Sequence, residues 1–530
     1  MNHKFSNFRL TIKYLFILNL LILSSCKEHK AEDNTIYSIP KHDSINALYN
    51  DKIWVNYTYN NIKDDKTINP LICWYKNTIK IMCGEDPFYI LKKEDQYSNI
   101  RVEVTPKPSS LTFNKTKTNQ IYIKQIIEPQ EIRTSFDTYI SVYSKKMRDL
   151  LKKDINLYSK TTVLYDVQVH LQNAVIYADE RGNKDMLRSM LNLIKIAFEE
   201  QYLTDDKWLD NGGNRAGKEV DLFIAQFLNL AIRVLSASER HGIMTNFSQK
   251  NIQIIHTHIN KWIQKEVQRK RINDLNLYTV MGILQFDDYL KKKKYTNIHF
   301  FEWKKYVQNY IKYSITPKWE KETCSYKQTN YSCFALDRTG LVDHQDFSYA
   351  GYGRELTKTF SNIDPNAMFD EKGIVKHSEK LVEKVSMDLS HARRFNWFFE
   401  VLKRFGKPFN VGISEDILQG WANNLAFRVS KGTLNDPYFT TFSDGTDGWY
   451  RVNYRKRRKF GYAPGEMDIH FIGSSYGFFG VYNPKIYDWM EAWVTINTSS
   501  NFENGYAGGY KLDYLLSLLI DLRNPLIDIQ

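Results

Sequence analysis

The stretch from Asp337 to Arg354 holds the densest set of chemically able side chains in the sequence. One imidazole (His344), two phenols (Tyr349, Tyr352), two guanidiniums (Arg338, Arg354) and three carboxylates (Asp337, Asp343, Asp346) fall within eighteen residues. Groups of these types can move a proton. A tyrosine takes one up and returns it near neutral pH only where nearby positive charge lowers its pKa. Gly351 and Gly353 permit close backbone approach around Tyr352. The same residues also suit a plain structural role, with His344 bonded to Asp343 or Asp346 and the tyrosines packed at a helix start. No second ligand group stands at metal-binding spacing from Asp343, His344 and Asp346, so neither a metal nor a cofactor is expected.

A second stretch runs from Trp449 to Tyr462. Six basic residues, Arg451 and Arg455 to Lys459, are interleaved with Trp449, Tyr450, Tyr454, Phe460 and Tyr462. Cations supply charge and aromatic rings supply flat stacking surfaces, which suits an acidic glycan. A basic loop facing anionic membrane lipid is the alternative.

His344 followed by Tyr349-Ala350-Gly351-Tyr352-Gly353 resembles helical-toroid polysaccharide lyases of the chondroitin and hyaluronan type. Those enzymes carry a histidine shortly before a Y-x-G-x-Y-G stretch, and the spacing here is one residue tighter. The resemblance implies β-elimination on a uronic acid, with Tyr352 as base and acid and His344 as its helper. It also implies a downstream arginine, for which Arg393 or Arg394 stands on an expected helix. An upstream asparagine would be Asn211 or Asn214. The family's Asn-Trp-Trp stretch and its large C-terminal β-sandwich have no counterpart here. In such chemistry the substrate carboxylate must be neutralised before charge can develop beside it. Tyr349, Arg354, Trp449, Tyr450, Arg451 and Arg455 are the expected substrate contacts.

Two other readings stay open. A glycoside hydrolase would pair Asp343 or Asp346 with Asp444, Asp447 or Glu466. A non-catalytic glycan-binding protein would use the basic, aromatic surface alone.

These groups need an address and a scaffold. Lys4, Arg9 and Lys13 precede an apolar run from Tyr14 to Leu23, and Leu23-Ser24-Ser25-Cys26 follows. A charged start and a short apolar stretch form a secretory signal, too short for a comfortable membrane span. The last four residues resemble a bacterial lipobox, which implies a mature chain starting at a lipid-bearing Cys26. An ordinary signal peptide with a chance cysteine is the alternative. The polar segment Lys27 to Asn34 resembles the tether of lipoproteins from Bacteroidetes-type bacteria. The expected location is the outer membrane, lipid-anchored and facing the periplasm or the outside.

The chain has 530 residues, 42% of them hydrophobic, enough to bury a large core. The net charge is +13, and the only charged residues among the first 25 are three basic ones. The remainder is still basic and favours acidic partners. An exported address turns this toward acidic polysaccharide and away from nucleic acid. Aromatics reach 14%, with 35 Tyr and 11 Trp, which suits sugar stacking. Beyond Cys26 there are four cysteines. Cys73 and Cys83 bracket an expected hairpin turning at Lys76-Asn77-Thr78, and Cys324 and Cys333 bracket a polar loop. Both pairs fit local disulfides in an oxidising compartment.

The pattern divides the chain into a signal (1–25), a tether (26–50), a small antiparallel β domain (51–130) and a helical domain (131–530). Strand-like runs cover 53–59, 88–91, 100–104 and 121–123. Past Ser135 the period becomes helical. Stripes run through Leu164 to Ala178, Leu187 to Phe198 and Val220 to Leu235. Further helices are expected near 247–271, 275–293, 299–314, 372–404, 414–430, 476–495 and 508–523. Long loops are expected at 205–217, 324–353 and 433–475, and loops of that length tend to carry function. Helices joined by short links at one end and long loops at the other predict an incomplete (α/α) toroid with a cleft at the loop end. No fixed-period repeat supports a solenoid.

Overall fold

The computed structural model describes residues 37–38, 44–55, 71–105, 120–152, 157–199, 215–266, 274–296, 299–316, 319–336, 386–448, 450, 462, 464–497 and 506–523. The fold is mainly helical, with a sheet region at the N-terminal side.

Eight short strands come first: β1 (Tyr37–Ser38), β2 (Ser44–Leu48), β3 (Lys52–Trp54), β4 (Leu71–Lys76), β5 (Ile79–Gly84), β6 (Phe88–Ile90), β7 (Ser98–Thr105) and β8 (Gln120–Ile127). One sheet has the order β2-β8-β7-β4-β5 and the other β1-β3-β6. Pairing is antiparallel except at β2–β8 and β1–β3. Strands thus begin before Asp51, inside the stretch expected to be a tether. Alternation sets the faces: Ile100 and Val102 on β7, and Ile121 and Ile123 on β8, are buried with Ile72, Trp74 and Leu91 in a core of their own. Asn77 takes φ 53° at the β4–β5 turn, and its side chain accepts from Asn99 N at 3.0 Å. Cys73 and Cys83 face each other across that hairpin and are bonded.

Pro129 opens the first helix, where its missing N–H costs nothing. The helices are α1 (Pro129–Lys152), α2 (Leu157–Glu180), α3 (Lys184–Glu199), α4 (Arg215–Arg240), α5 (Gln249–Glu266), α6 (Asp274–Lys292) and α7 (Phe300–Tyr310). After a hairpin of β9 (Trp319–Tyr326) and β10 (Thr329–Leu336) come α8 (Leu389–Phe405) and α9 (Glu415–Asn424). A second small hairpin, β11 (Ser430–Thr433) and β12 (Asp436–Phe439), precedes α10 (Asp468–Ile472), α11 (Lys485–Asn497) and α12 (Tyr506–Ser517).

Even- and odd-numbered helices differ in burial. In α4, Val220, Ile224, Phe227, Leu228, Ala231 and Leu235 are buried, and so are Ala225, Leu230, Ile232 and Ala237 on its other faces. It is the one described helix long and apolar enough to cross a bilayer, and the relevant window is 89% buried inside the protein. Helices α2, α6 and α8 are likewise covered nearly all round. Helix α3 instead buries Leu187, Met190, Leu191 and Ile194 and leaves Lys184 and Asp185 to solvent. Neighbours among the covered helices are α2 with α4, α4 with α6, α6 with α8, and α12 with α2. Ion pairs Asp179–Arg240, Arg240–Asp288 and Arg233–Glu400 join the C-terminal parts of α2, α4, α6 and α8. Arg394 and Asp274 join the starts of α8 and α6. These four helices therefore run the same way.

Several elements depart from the expected pattern. The polar loop between Cys324 and Cys333 is a β-hairpin, closed by Lys327 and Gln328 at φ 46° and 66° and by the Cys324–Cys333 bond. It packs on α9, where a side chain at Gly420 would strike Phe334. Helix α8 starts at Leu389, because the Asp388 side chain caps it. The helix expected from residue 476 starts at Lys485 after Pro484, and Tyr476–Val481 forms a 3₁₀ turn. Helix α9 ends in a π turn, Leu425–Val429. The end of the expected 53–59 strand lies outside the described residues, as do the signal and Cys26.

Candidate active site at the start of helix α8

Two chain segments meet where α8 begins. Residues 386–389 lie antiparallel to 441–443: Leu389 N donates to Thr441 O at 3.0 Å and Ser443 N to Met387 O at 2.8 Å. The Ser386 and Ser443 hydroxyls are 2.8 Å apart, and Ser386 N donates to Asp444 Oδ2 at 3.3 Å. A few residues on, Tyr450 and Tyr462 exchange backbone hydrogen bonds of 2.9 and 2.7 Å. The chain thus leaves and returns at one point on either side of 451–461. Tyr450 is 1% exposed, and its hydroxyl lies 3.3 Å from His391 Nδ1. It anchors the start of the arginine-rich segment from inside the protein.

Asp388 organises this corner. Its carboxylate accepts from Ser390 N at 3.0 Å and from the Ser390 hydroxyl, and it sits 2.7 Å from His391 Nδ1.

The next turn of α8 carries both expected arginines, and both are buried. Adjacent residues on a helix point about 100° apart. Arg393 Nη2 donates to the Tyr165 hydroxyl of α2 at 2.9 Å, and Nη1 reaches the Ser474 hydroxyl at 3.4 Å. Arg394 pairs with Asp274 at 2.6 Å. Burial is the largest single influence and works against its charge, but Asp274, Tyr278 and Tyr165 together raise its pKa. Tyr278 lies on the same side, its hydroxyl held protonated by burial against the opposing pull of Arg394 and Arg393.

Behind Arg393 lies a buried polar layer. His170 Nδ1 is 3.3 Å from Asp513 Oδ2, and His470 Nδ1 is 3.1 Å from the Tyr510 hydroxyl. Burial, and then the charge of Arg393, pushes each histidine down to about 3. Burial raises the Asp513 carboxyl, with Arg393 opposing. Arg393 thus stands among groups held largely neutral. Asn173 Oδ1 accepts from Trp397 Nε1 at 3.0 Å and from the Ser475 hydroxyl at 2.5 Å. Asn396 Nδ2 donates to Ser474 O at 3.1 Å. Those bonds hold the Ser474-Ser475 turn against α2 and α8.

Of the residues singled out in the sequence, Arg393, Arg394 and Tyr450 come together here. Asn211, Asn214, His344, Tyr349, Tyr352, Arg354, Trp449, Arg451 and Arg455 lie outside the described residues. So do Asp343 and Asp346. Two hydrolase candidates do local work instead. Asp444 Oδ1 accepts from Thr446 N at 3.0 Å, and Asp447 Oδ1 accepts from Thr441 N and Gly448 N, each at 3.1 Å. The sequence did not single out Tyr165, His391, Asp388 or Ser474. Tyr165 was hidden inside an apolar stripe, and Asp388 and Ser390 fell inside the expected helix 372–404, where a cap could not be read. Among the described residues no group of three or more His, Cys, Asp or Glu side chains is placed to hold a metal.

Chemically, the corner offers a buried guanidinium in contact with a partly exposed phenol, a second buried guanidinium already paired to Asp274, and an imidazole paired to a carboxylate. Such a set can bind a carboxylate and stabilise charge that develops next to it. Comparison with protein-family models, curated proteins and solved structures finds no match to this chain.

Proposed function

We propose that the protein is an envelope-tethered lyase that cleaves a uronic-acid polysaccharide by β-elimination, built on a helical toroid. The observation that carries this reading is the meeting of two described chain segments, 386–389 and 441–448, at the start of α8. The segment holding His344, Tyr349, Tyr352 and Arg354 re-enters the described chain at Ser386. The segment holding Arg451 and Arg455 lies between Tyr450 and Tyr462. Both ends are laced to α8 within one turn of Arg393 and Arg394.

Helix direction supports an acidic substrate. Helices α6 and α8 begin at this corner, and α2 and α4 run parallel to them, so positive helix ends face one way. Neighbour relations support the toroid. A circuit runs α2, α4, α6, α8, α10, α12 and back to α2. Helix α1 packs outside α2 and α12, α3 outside α2 and α4, α5 and α7 outside α6, and α11 outside α10. In this reading Tyr352 takes the proton beside the uronate carboxylate and returns it to the leaving oxygen. His344 assists it, and Arg393 or Arg394 holds the carboxylate. The signal and Cys26 would deliver the enzyme to the outer membrane.

The test is to incubate the protein with polygalacturonate, alginate, hyaluronan and chondroitin and follow ultraviolet absorbance of the unsaturated product. Absorbance should rise on at least one polymer, and Tyr352→Phe should lower the rate about a hundredfold or more. New reducing ends without unsaturation would mean hydrolysis. Binding without any product would leave only a glycan-binding role.

A further inference from the structure

We infer that a concavity beside the β9–β10 hairpin is a second subsite for the same acidic glycan, one that continues the chain path away from the start of α8. The inference rests on the acidic-polysaccharide reading and extends it to a separate place. The concavity measures about 630 Å³ and is lined by Lys321, Thr323, Asn330, Tyr331, Ser332 and Arg428. That volume lies in the range of small-ligand sites. Its chemistry is mixed in the way an acidic sugar needs. Lys321 and Arg428 bring positive charge, Thr323, Asn330 and Ser332 bring hydroxyl and amide groups, and Tyr331 brings a ring. The lining includes one acid, Glu322, which is ion-paired to Arg428. Arg428 also donates to Thr323 O at 3.0 Å, so its guanidinium is held in a fixed plane.

The walls are rigid, which lowers the ordering cost of binding. The Cys324–Cys333 bond ties the two strands. Tyr326 and Tyr331 pack on Phe427, with ring centres 4.8 and 4.5 Å from it. Asn423 Nδ2 donates to Ser332 O at 2.9 Å and fastens the hairpin to α9. Phe427 and Arg428 both belong to the π turn at the end of α9, a distortion often found where a helix serves a site.

One turn connects the concavity to the candidate active site. Gly445, at φ 85°, lies so close to Arg428 that a Cβ there would come within 2.9 Å of both the Arg428 Cβ and its carbonyl oxygen. The neighbouring Asp444 is the residue that accepts from Ser386 N just before α8. One short turn therefore backs onto Arg428 on one side and the start of α8 on the other.

The test uses the full chain and Lys321→Glu, since Lys321 is exposed. Binding of a tetrasaccharide and a dodecasaccharide of each uronate polymer is measured by calorimetry, with dextran and anionic phospholipid vesicles alongside. Lys321→Glu should weaken dodecasaccharide binding about tenfold and leave tetrasaccharide binding unchanged. Equal binding by wild type and variant, an equal loss at both lengths, or Lys321-dependent binding to vesicles alone would overturn the subsite. So would the absence of binding to every uronate. The absorbance assay reports separately on the lyase. Product formation with no effect of Lys321→Glu removes only the subsite, and length-dependent binding without product removes only the lyase.

Discussion

Asp388 shows how much one side chain does at the candidate site. It caps α8, accepts from Ser390 and pairs with His391, all while fully buried. Loss of a helix cap costs about 1 kcal/mol. A buried donor left without its partner costs about 1–3 kcal/mol more. Asp388→Ala should therefore lower stability by about 2–4 kcal/mol in urea denaturation. Asp388→Asn, which keeps the cap, should recover about half. If the alanine variant is as stable as wild type, Asp388 does not organise this corner. At this scale the sequence was readable in part. Arg393 and Arg394 stood out only because the lyase resemblance calls for an arginine downstream of Tyr352. Tyr165 did not, because a tyrosine within a helical apolar stripe carries the same signature whether or not a guanidinium meets its hydroxyl. Tyr450 was legible as an aromatic among cations, but nothing in that pattern tells an inward anchor from a surface ring.

Elements were legible where apolar residues recurred at helical spacing or a turn residue stood in place. Helices α2, α3 and α4 follow their apolar stripes, and the β4–β5 turn follows Asn77, a residue that tolerates positive φ. The β9–β10 turn uses Lys327 and Gln328, which have no such preference, so tertiary packing on α9 and the cysteine bond set it. The region 468–481 was read as loop and helix. There Gly473, Gly477 and Gly480 admit Tyr510, Ser517 and Tyr487 at distances no side chain could share, which breaks the helical pattern. The two hydrophobic cores are distinct clusters, one in the sheets and one among the helices. The Cys73–Cys83 bond closes a short loop, spanning a sequence separation of 10, and contributes about 3 kcal/mol or less. Replacing both cysteines by alanine should speed amide exchange in β4, β5 and β7 while leaving α4 and α6 protected. Equal acceleration in both regions would mean that the sheets and helices open as one unit.

Across the whole molecule, buried charge makes stability depend on pH. Arg233 Nη2 donates to Glu400 Oε1 at 2.9 Å, and Arg404 Nε lies 2.5 Å from the same oxygen. Burial nevertheless raises the Glu400 carboxyl from 4.5 to about 7, with Arg233 opposing. A carboxyl raised on folding favours the folded state at low pH, and that stability is lost as pH rises from about 4.5 through 7. His170 and His470 are lowered, so their contribution is complete above about 6.5 and is lost as pH falls toward 3. The two slopes oppose each other between 4.5 and 6.5. Glu400→Gln removes only the first. Over pH 4.5 to 7 wild type should lose about 3 kcal/mol relative to Glu400→Gln, measured by urea denaturation at each pH. Parallel curves would show that Glu400 stays charged throughout.

The contact between α2 and α12 bears on the order in which the molecule can be finished. His170 and Asp513 are 343 residues apart in sequence, and Asn173 bonds the Asp513 carbonyl beside them. During synthesis, α2 emerges well before α12, the helix that carries its partner. Long-range closure of this kind is slow and leaves apolar surface uncovered in the interval. The delay has a cost: a product cut short before Tyr506 would present the bare face of α2 to any protease that meets it.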